Sequence, residues 1–196
     1  MTENNVVSLI LAGGQSRRMG QDKALLTVEG VPLLQRTMAI AANLTEQVWI
    51  STPWRDVYQP YFSETVQWLD DAQQQGPVVA LAESLKQMPQ REWVLVLACD
   101  LPYLDQGQLE EWITLLETVP ENCVAALVKQ EKWYESLCGF YRFSAQVSLQ
   151  KFIQNGDRSF QKWLVTENVY ELPLETENML FNCNTPEDFA TLKAHS

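Results

Sequence analysis

Three positively charged side chains follow a pair of glycines near the start of the chain. Arg17, Arg18 and Lys23 come shortly after Gly13-Gly14, in a protein that has only 14 Lys and Arg residues and a net charge of −11. Two glycines allow the backbone to turn sharply and to approach a ligand closely. Because loop amides and nearby cations together bind phosphate groups, the pattern predicts an anion site of that kind.

The loop differs from the two common phosphate-binding motifs. A Walker A loop needs Gly-Lys-Ser/Thr after four spacer residues, whereas this chain reads Gly20-Gln-Asp-Lys23. The dinucleotide fingerprint G-x-G-x-x-G is not matched by Gly13-Gly-Gln-Ser-Arg-Arg18 either. The sequence therefore indicates a phosphate loop of another type.

Carboxylates follow two other apolar runs. Asp100 comes directly after residues 93–98, and it is the best candidate metal ligand because Mg²⁺ prefers carboxylates combined with substrate phosphates. A turn or helix-cap role before Pro102 is the structural alternative. Asp70 and Asp71 are adjacent, so their side chains diverge in an extended segment and we expect only one of them to face a ligand.

Apolar runs typical of strands alternate with helical periodicity along the whole chain. This alternation predicts a three-layer α/β/α, Rossmann-like domain with a mostly parallel sheet. We expect one domain over residues 1–196. The strands are predicted at 6–11, 25–28, 47–51, 66–69, 93–98, 123–128, 137–143 and 169–173, and the helices at 31–44, 77–85, 109–116, 144–152, 159–164 and from 185 onward.

Ligands of such sheets bind beyond the carboxyl ends of the strands. The glycine pair, the Asp70-Asp71 pair and Asp100 each follow a predicted strand, and Asn182-Cys-Asn184 precedes the last helix. We therefore expect these four segments to meet at one edge of the sheet.

Composition narrows the function classes. The acidic balance argues against nucleic acid as the main partner, and no run reaches the length of a membrane span. The N-terminus does not resemble a signal peptide, and four widely spaced cysteines without a CxxC motif are typical of reduced thiols, so we expect a cytoplasmic protein. The one histidine, His195, lies near the C-terminus, which argues against histidine acid–base catalysis and histidine metal sites.

Four ordered motifs carry a family resemblance that spans the chain. The run Leu11-Ala-Gly-Gly-Gln-Ser-Arg-Arg-Met-Gly20 with Asp22-Lys23 resembles the signature of nucleotidyltransferases with the nucleotide-diphospho-sugar-transferase fold. Within that group the chain is most similar to the MobA family of molybdenum cofactor guanylyltransferases. The other motifs are Asp70-Asp71 with Gly76-Pro77, Cys99-Asp-Leu-Pro-Tyr103, and Asn182-Cys-Asn-Thr-Pro-Glu-Asp188.

The resemblance implies transfer of GMP from Mg-GTP to the phosphate of molybdopterin or its molybdenum form, with release of pyrophosphate. It implies Arg18, Lys23 and Asp100 as catalytic residues, with Asp100 as the Mg²⁺ ligand. It also implies a nucleotide-binding N-terminal half, an acceptor-binding C-terminal half, and transient contact with molybdoenzymes or their chaperones. The implied nucleotide-binding residues are Leu11, Ala12, Gly13, Gly14, Lys23, Asp70, Asp71, Gly76 and Asp100; of the aspartate pair, Asp71 aligns somewhat better.

On the acceptor side, Asn182 and Asn184 are candidate metal-shell or pterin contacts, and Arg158 is a candidate contact to a pterin phosphate. The structural alternatives are turn-forming asparagines and a surface arginine. Relatives usually carry Pro-Leu where this chain has Ser136-Leu137, within the segment 133–138 that departs from the family. Guanylyl transfer is favoured over cytidylyl transfer because cytidylyl-transferring relatives tend to read Leu-Ala-Ala-Gly in the first loop and Asp-Gln-Pro at the metal strand. A cytidylyl- or sugar-phosphate nucleotidyltransferase, and an inactive nucleotide-binding module in cofactor insertion, are the alternatives.

Overall fold

The chain folds around one large twisted sheet. The structure is a computed structural model that describes residues 5–14, 22–62, 66–71, 74–176, 178–185 and 188–189. None of the helices in these ranges is both long and apolar enough to cross a bilayer.

The described residues form nine strands and six α-helices. The strands are β1 (Val6–Leu11), β2 (Thr27–Val28), β3 (Val31–Pro32), β4 (Val48–Thr52), β5 (Gln67–Asp70), β6 (Trp93–Ala98), β7 (Ala125–Gln130), β8 (Trp133–Arg142) and β9 (Val169–Glu171). The helices are α1 (Leu33–Leu44), α2 (Arg55–Tyr58), α3 (Pro77–Gln87), α4 (Gln106–Leu115), α5 (Ala145–Gln154) and α6 (Phe160–Leu164), with 3-10 turns at Lys23–Leu25, Gln59–Tyr61 and Leu116–Thr118.

The main sheet of the described chain has seven strands in the order β5-β4-β1-β6-β8-β7-β9, and β2 and β3 form a separate small ribbon. Strands β5, β4, β1 and β6 run parallel, as do β7 and β9, while β8 is antiparallel to both of its neighbours. The predicted mostly parallel sheet is confirmed. Strand β6 is parallel to β1 on one side and antiparallel to β8 on the other.

Side chains alternate across the sheet and fill two apolar layers. On β1, Val6 and Ile10 pack with α1 and α4, whereas Val7 and Leu9 pack with α3, α5 and α6. Strand β6 alternates in the same way, and all six of its residues are buried. Because both faces of the sheet are covered by helices, the three-layer α/β/α prediction is confirmed.

Several element boundaries differ from the predicted ones. Residues 25–28 are not one extended run, because a 3-10 turn ends at Leu25 before β2 begins. Strand β8 begins at Trp133, four residues before the predicted start, because it forms a hairpin with β7 through Glu131 at φ 51°. Ser144 occupies the N-cap position of α5, yet its side chain makes no capping hydrogen bond.

Candidate active site

A cleft of about 760 Å³ opens at the carboxyl edge of the parallel strands. The ends of β1, β4, β5 and β6 meet there because these strands run in the same direction. The volume lies within the range of about 300–1,000 Å³ that ligand pockets usually have. The predicted convergence of the glycine pair, Asp71, Asp100 and Asn184 at one edge is therefore confirmed.

The loop after β1 is anchored to the end of β4. The amide of Ala12 donates to the carbonyl of Ser51 at 2.9 Å, and the buried hydroxyl of Thr52 donates to the carbonyl of Ala12, also at 2.9 Å. Leu11, Ala12, Gly13 and Gly14 all line the cleft. These bonds fix the path by which the loop enters the cleft.

Gly13 lies directly against the carboxylate of Asp71. A Cβ atom built on Gly13 would lie 2.8 Å from Asp71 Oδ2, which is closer than real Cβ atoms approach. On the other side of this carboxylate, the amide of Gln74 donates to Oδ1 at 3.2 Å. The absence of a side chain at residue 13 thus makes room for the carboxylate of Asp71.

Of the two adjacent aspartates, Asp71 lines the cleft and Asp70 does not. Asp70 is the exposed last residue of β5, and Asp71 is half-buried just beyond it. Burial raises the pKa of Asp71, the amide of Gln74 offsets part of that rise, and the charge of Asp70 adds to it. The pleat of β5 separates the two carboxylates, as the sequence predicted for such a pair.

Lys23 connects the first loop with the end of the central strand. Its Nζ lies 3.3 Å from Asp100 Oδ2, and both side chains are 18% exposed. The same Nζ donates to Asn184 Oδ1 at 2.6 Å. The amide of Cys183 donates to the carbonyl of Asp100 at 3.0 Å, which holds the C-terminal segment beside β6.

Asn184 is followed by a reciprocal helix cap. Asp188 Oδ2 accepts from the amides of Asn184 and Thr185 at 2.8 Å each, and the amide of Asp188 donates to Thr185 Oγ1 at 3.1 Å. The Asn184 amide is the main cause of the lowered pKa of Asp188. The predicted helix start at Thr185 is confirmed by these bonds, and the remainder of that helix lies outside the described residues.

Three predicted residues do not line the cleft. Asn182 bonds to the carbonyl of Leu180 at 3.2 Å. Arg158 is exposed and reaches Gln75 Oε1 from two guanidinium nitrogens at 3.3 Å each, next to the cleft residue Gly76. Asp70 is the third, and Arg18 lies outside the described residues.

Gly76 is placed as predicted, at the start of α3. It has φ 95° and occupies the N-cap position before Pro77, and both residues line the cleft. The N-terminal end of α3 therefore faces the cleft, where its free amides favour a negatively charged ligand.

Among the polar residues that line the cleft, Asp22, Ser51, Tyr58 and Gln74 were not predicted as site residues, although Asp22 belongs to the first motif. Ser51 and Tyr58 come from the end of β4 and from α2, where no glycine or charged motif marks the sequence. A strand-end search that included the 47–51 strand would have found Ser51, since β4 ends at the same edge.

Glu135 is a further acidic group near Asp100. Burial raises its pKa, the amide of Leu137 partly offsets that rise, and the charge of Asp100 raises it further. It lies on β8, which runs beside the end of β6, and its neighbour Leu137 lines the cleft. Glu135 does not line the cleft, but its charge adds to that of Asp100 in favouring a cation on this side.

The cysteines are free thiols, as the sequence predicted. Burial raises the pKa of Cys99, which lines the cleft, and of Cys138 and Cys183, so these thiols stay protonated. No group of three or more His, Cys, Asp or Glu residues among those described forms a metal site.

A glycine loop, a lysine and separated carboxylates at the carboxyl edge of an α/β sheet define a nucleotide-binding domain. The family model for the MobA-like NTP transferase domain matches residues 8–169. The chain belongs to this family, and it is a nucleotidyltransferase with the nucleotide-diphospho-sugar-transferase fold.

Relatives cover nearly the whole chain. A protein of Nostoc sp. named probable molybdenum cofactor guanylyltransferase is 50% identical over 97% of this chain and 91% of its own length. A molybdenum cofactor guanylyltransferase of Pseudomonas putida is 33% identical over 91% of this chain and 93% of its own. The solved structure of molybdopterin-guanine dinucleotide biosynthesis protein A from Archaeoglobus fulgidus has the same fold, with a TM-score of 0.79 at 22% identity, covering 96% of this chain and 97% of that one.

Proposed function

We propose that the protein transfers GMP from GTP to the terminal phosphate of molybdopterin or its molybdenum form and releases pyrophosphate. The observation that carries this proposal is the meeting of Lys23, Asp71 and Asp100 in one cleft, in a chain 50% identical to a relative named for that activity.

Asp71 is the proposed reader of the guanine base. An ionised carboxylate accepts hydrogen bonds from guanine N1–H and from the 2-amino group at once, whereas cytosine does not present two adjacent N–H donors. Contact with Gly13 and the bond from Gln74 hold this carboxylate in one orientation. That support suits a group that must recognise one base among several.

The glycine loop and Lys23 are the proposed triphosphate site. Amides of the Gly13-Gly14 loop bind phosphate oxygens, and Lys23 neutralises charge that develops as the α-phosphorus is attacked. Arg18 is proposed to contact the triphosphate as well. Such reactions need mainly positioning and charge neutralisation, because the protein forms no covalent bond to the phosphoryl group.

Asp100 and Asn184 supply the oxygen atoms that suit Mg²⁺. Mg²⁺ is usually held by one or two carboxylates together with substrate phosphates, so the small donor set at this edge fits the ion. Burial raises the pKa of Glu135 and the charge of Asp100 raises it further, which supports a preference for a cation at this edge. When bound there, Mg²⁺ supplies charge neutralisation on the phosphates.

The transfer step requires no general base from the protein. A phosphate monoester has a second pKa of about 6 and is largely a dianion at neutral pH. Its oxygen forms a new bond to the α-phosphorus of GTP. The bond from that phosphorus to the bridging oxygen breaks, and pyrophosphate leaves with the electron pair.

The acceptor is proposed to enter from the C-terminal half of a single domain spanning residues 1–196. Asn184 and Leu137 already line the cleft from that half, and Arg158 lies beside its rim through Gln75. Asn182 remains a proposed acceptor contact that this structure places outside the cleft. Free thiols suit a reducing compartment, so we propose a cytoplasmic protein that hands its product to molybdoenzymes or their chaperones.

The test is pyrophosphate release measured with GTP, CTP, ATP and UTP, each with Mg²⁺ and molybdopterin. We expect release with GTP and formation of the guanine dinucleotide, with both lost when Mg²⁺ is chelated. A preference for CTP would contradict guanylyl transfer and favour the cytidylyl alternative. Binding of GTP with no turnover by any nucleotide would favour the inactive nucleotide-binding module.

A further inference from the structure

A hydrogen-bonded chain connects α2 with the turn that carries Lys23. The hydroxyl of Tyr58, the last residue of α2, donates to Asp22 Oδ2 at 2.8 Å. The other oxygen of the same carboxylate, Oδ1, accepts from the amide of Ala24 at 3.0 Å. One carboxylate therefore joins a side chain at the end of α2 to the backbone of the lysine turn.

The turn itself is short and depends on this cap. Lys23–Leu25 is a single 3-10 turn with Asp22 in the N-cap position. An isolated turn of this length has poor hydrogen-bond geometry and gains little from helical cooperativity. Ala24 is 2% exposed and anchors the turn in the core. The direction in which Lys23 leaves the backbone therefore depends on how firmly Asp22 is held.

Tyr58 is well placed to hold Asp22. Tyr58 is 1% exposed, belongs to the same core layer as Ile10 and Ile50, and also lines the cleft. Burial and the adjacent charge of Asp22 raise the pKa of Tyr58 well above its ordinary value. The hydroxyl thus stays protonated and donates a charge-assisted hydrogen bond, which is stronger than a neutral one.

We propose that Tyr58 is a positioning residue for Lys23. By fixing Asp22, it sets the turn from which Lys23 Nζ reaches Asp100 Oδ2 at 3.3 Å and Asn184 Oδ1 at 2.6 Å. This inference rests on the proposed role of Lys23 in GMP transfer. It adds to the cleft edge of the sheet a residue from the segment that follows β4. None of the four sequence motifs lies in that segment.

The alternative is that Tyr58 touches substrate directly, because its side chain lines the cleft. The two roles differ in their coupling to Lys23. A residue that acts through Lys23 loses its effect once Lys23 is removed, whereas a residue that acts on substrate by itself keeps it. A double-mutant cycle measures this difference.

The experiment compares wild type, Tyr58→Phe, Lys23→Met and the double variant. Phe keeps the buried ring and removes only the hydroxyl. We expect Tyr58→Phe to lower kcat for pyrophosphate release with GTP by about tenfold, as loss of a hydrogen bond to a charged group does. In the Lys23→Met background the same change should lower kcat by less than about twofold, because residues coupled through one hydrogen-bonded turn do not act additively.

A second readout needs no turnover. The amide of Ala24 donates to Asp22, so its hydrogen exchange, followed by NMR, reports how firmly Asp22 is held. We expect faster exchange at Ala24 in Tyr58→Phe than in wild type. A wild-type protein that releases no pyrophosphate with GTP would contradict the proposed function, and the exchange rate would still decide whether Tyr58 holds the turn.

Thr45→Val is the matched control. Thr45 is 3% exposed and its hydroxyl donates at 2.8 Å to Oγ of Ser8, which lies in the first half of β1 and does not line the cleft. The control also removes a buried hydroxyl and should lower thermal stability, but it should leave kcat and Ala24 exchange unchanged. The proposal is overturned if Tyr58→Phe keeps wild-type kcat and exchange, or if the losses from Tyr58→Phe and Lys23→Met simply multiply.

Discussion

The carboxylate of Asp71 occupies the space beside Gly13 that a larger side chain would need. A Cβ atom at residue 13 would lie 2.8 Å from Asp71 Oδ2, while a Cβ atom at Gly14 would meet no atom within 4 Å. The first loop therefore affects the base-reading group through steric contact as well as through its amides. The identity of residue 13 and the position of Asp71 are coupled.

Gly13→Ala should weaken GTP binding by displacing Asp71. We expect KM for GTP to rise by about tenfold, the cost of losing one hydrogen bond to a charged group. Steady-state kinetics with GTP and CTP would measure it. Gly14→Ala adds the same methyl group without a contact, so its effect should be clearly smaller. Equal losses in the two variants would show that the contact with Asp71 does not matter.

GTP affinity should rise with pH through the pKa of Asp71. Burial raises this pKa above its ordinary value of 3.8, and base recognition needs the ionised form. Calorimetric titration of GTP from acidic pH to neutrality should show affinity increasing across that window. Asp71→Asn should bind GTP more weakly and without this pH dependence; an unchanged pH profile in this variant would assign the titration to another group.

The raised pKa of Asp71 has the opposite effect on the stability of the fold, which should decrease as pH rises. Because the pKa of Asp71 is higher in the folded than in the unfolded chain, the folded state binds the proton more tightly between the two values. The contribution of Asp71 to the free energy of unfolding is therefore largest below 3.8 and decreases as pH rises through the folded-state pKa. Urea unfolding of wild type and Asp71→Asn across this range would measure it, and a difference that grows with pH in favour of wild type would contradict it.

Asp100→Asn should lower GMP transfer by on the order of 100-fold, the effect of removing one group that stabilises charge in the transition state. The variant keeps the shape of the side chain but loses the charge that faces Lys23 and the proposed Mg²⁺. Transfer assays at several Mg²⁺ concentrations would show whether the apparent metal affinity falls. Asp105→Asn is the matched control: Asp105 caps α4 through the amide of Gln108, and Asn caps helices equally well. An Asp100→Asn protein with wild-type transfer would remove the metal assignment.

Asn184→Ala should reduce transfer more than Asn182→Ala. Asn184 lines the cleft and accepts from Lys23 at 2.6 Å, whereas Asn182 bonds to Leu180 outside it. We expect about a tenfold loss of kcat/KM for Asn184→Ala, as for a lost hydrogen bond to a charged group. Pyrophosphate release with saturating acceptor would compare the two. A larger loss in Asn182→Ala would mean that the acceptor reaches beyond the described cleft.

Local patterns predicted most of the nucleotide side of the site. The buried strand before Gly13, the strand before Asp100 and the capped start at Thr185 are encoded by neighbouring residues. Once the strands are parallel, their carboxyl ends must meet at one edge, so the convergence of Gly13, Asp71 and Asp100 follows from chain order and sheet geometry. The continuous apolar runs of β1 and β6 likewise indicate strands that are covered by helices on both faces.

Tertiary structure decided what depends on distant neighbours. The pleat of β5 within the sheet turned Asp71, and not Asp70, toward the cleft. The β4–α2 connection brought Tyr58 to Asp22 across 36 positions of sequence, which no local pattern encodes. Arg158 and Asn182 stayed outside the cleft because nearby backbone carbonyls and Gln75 bind their polar atoms. Sequence determines which groups stand at strand ends, because that information is local; packing determines which of them face one another.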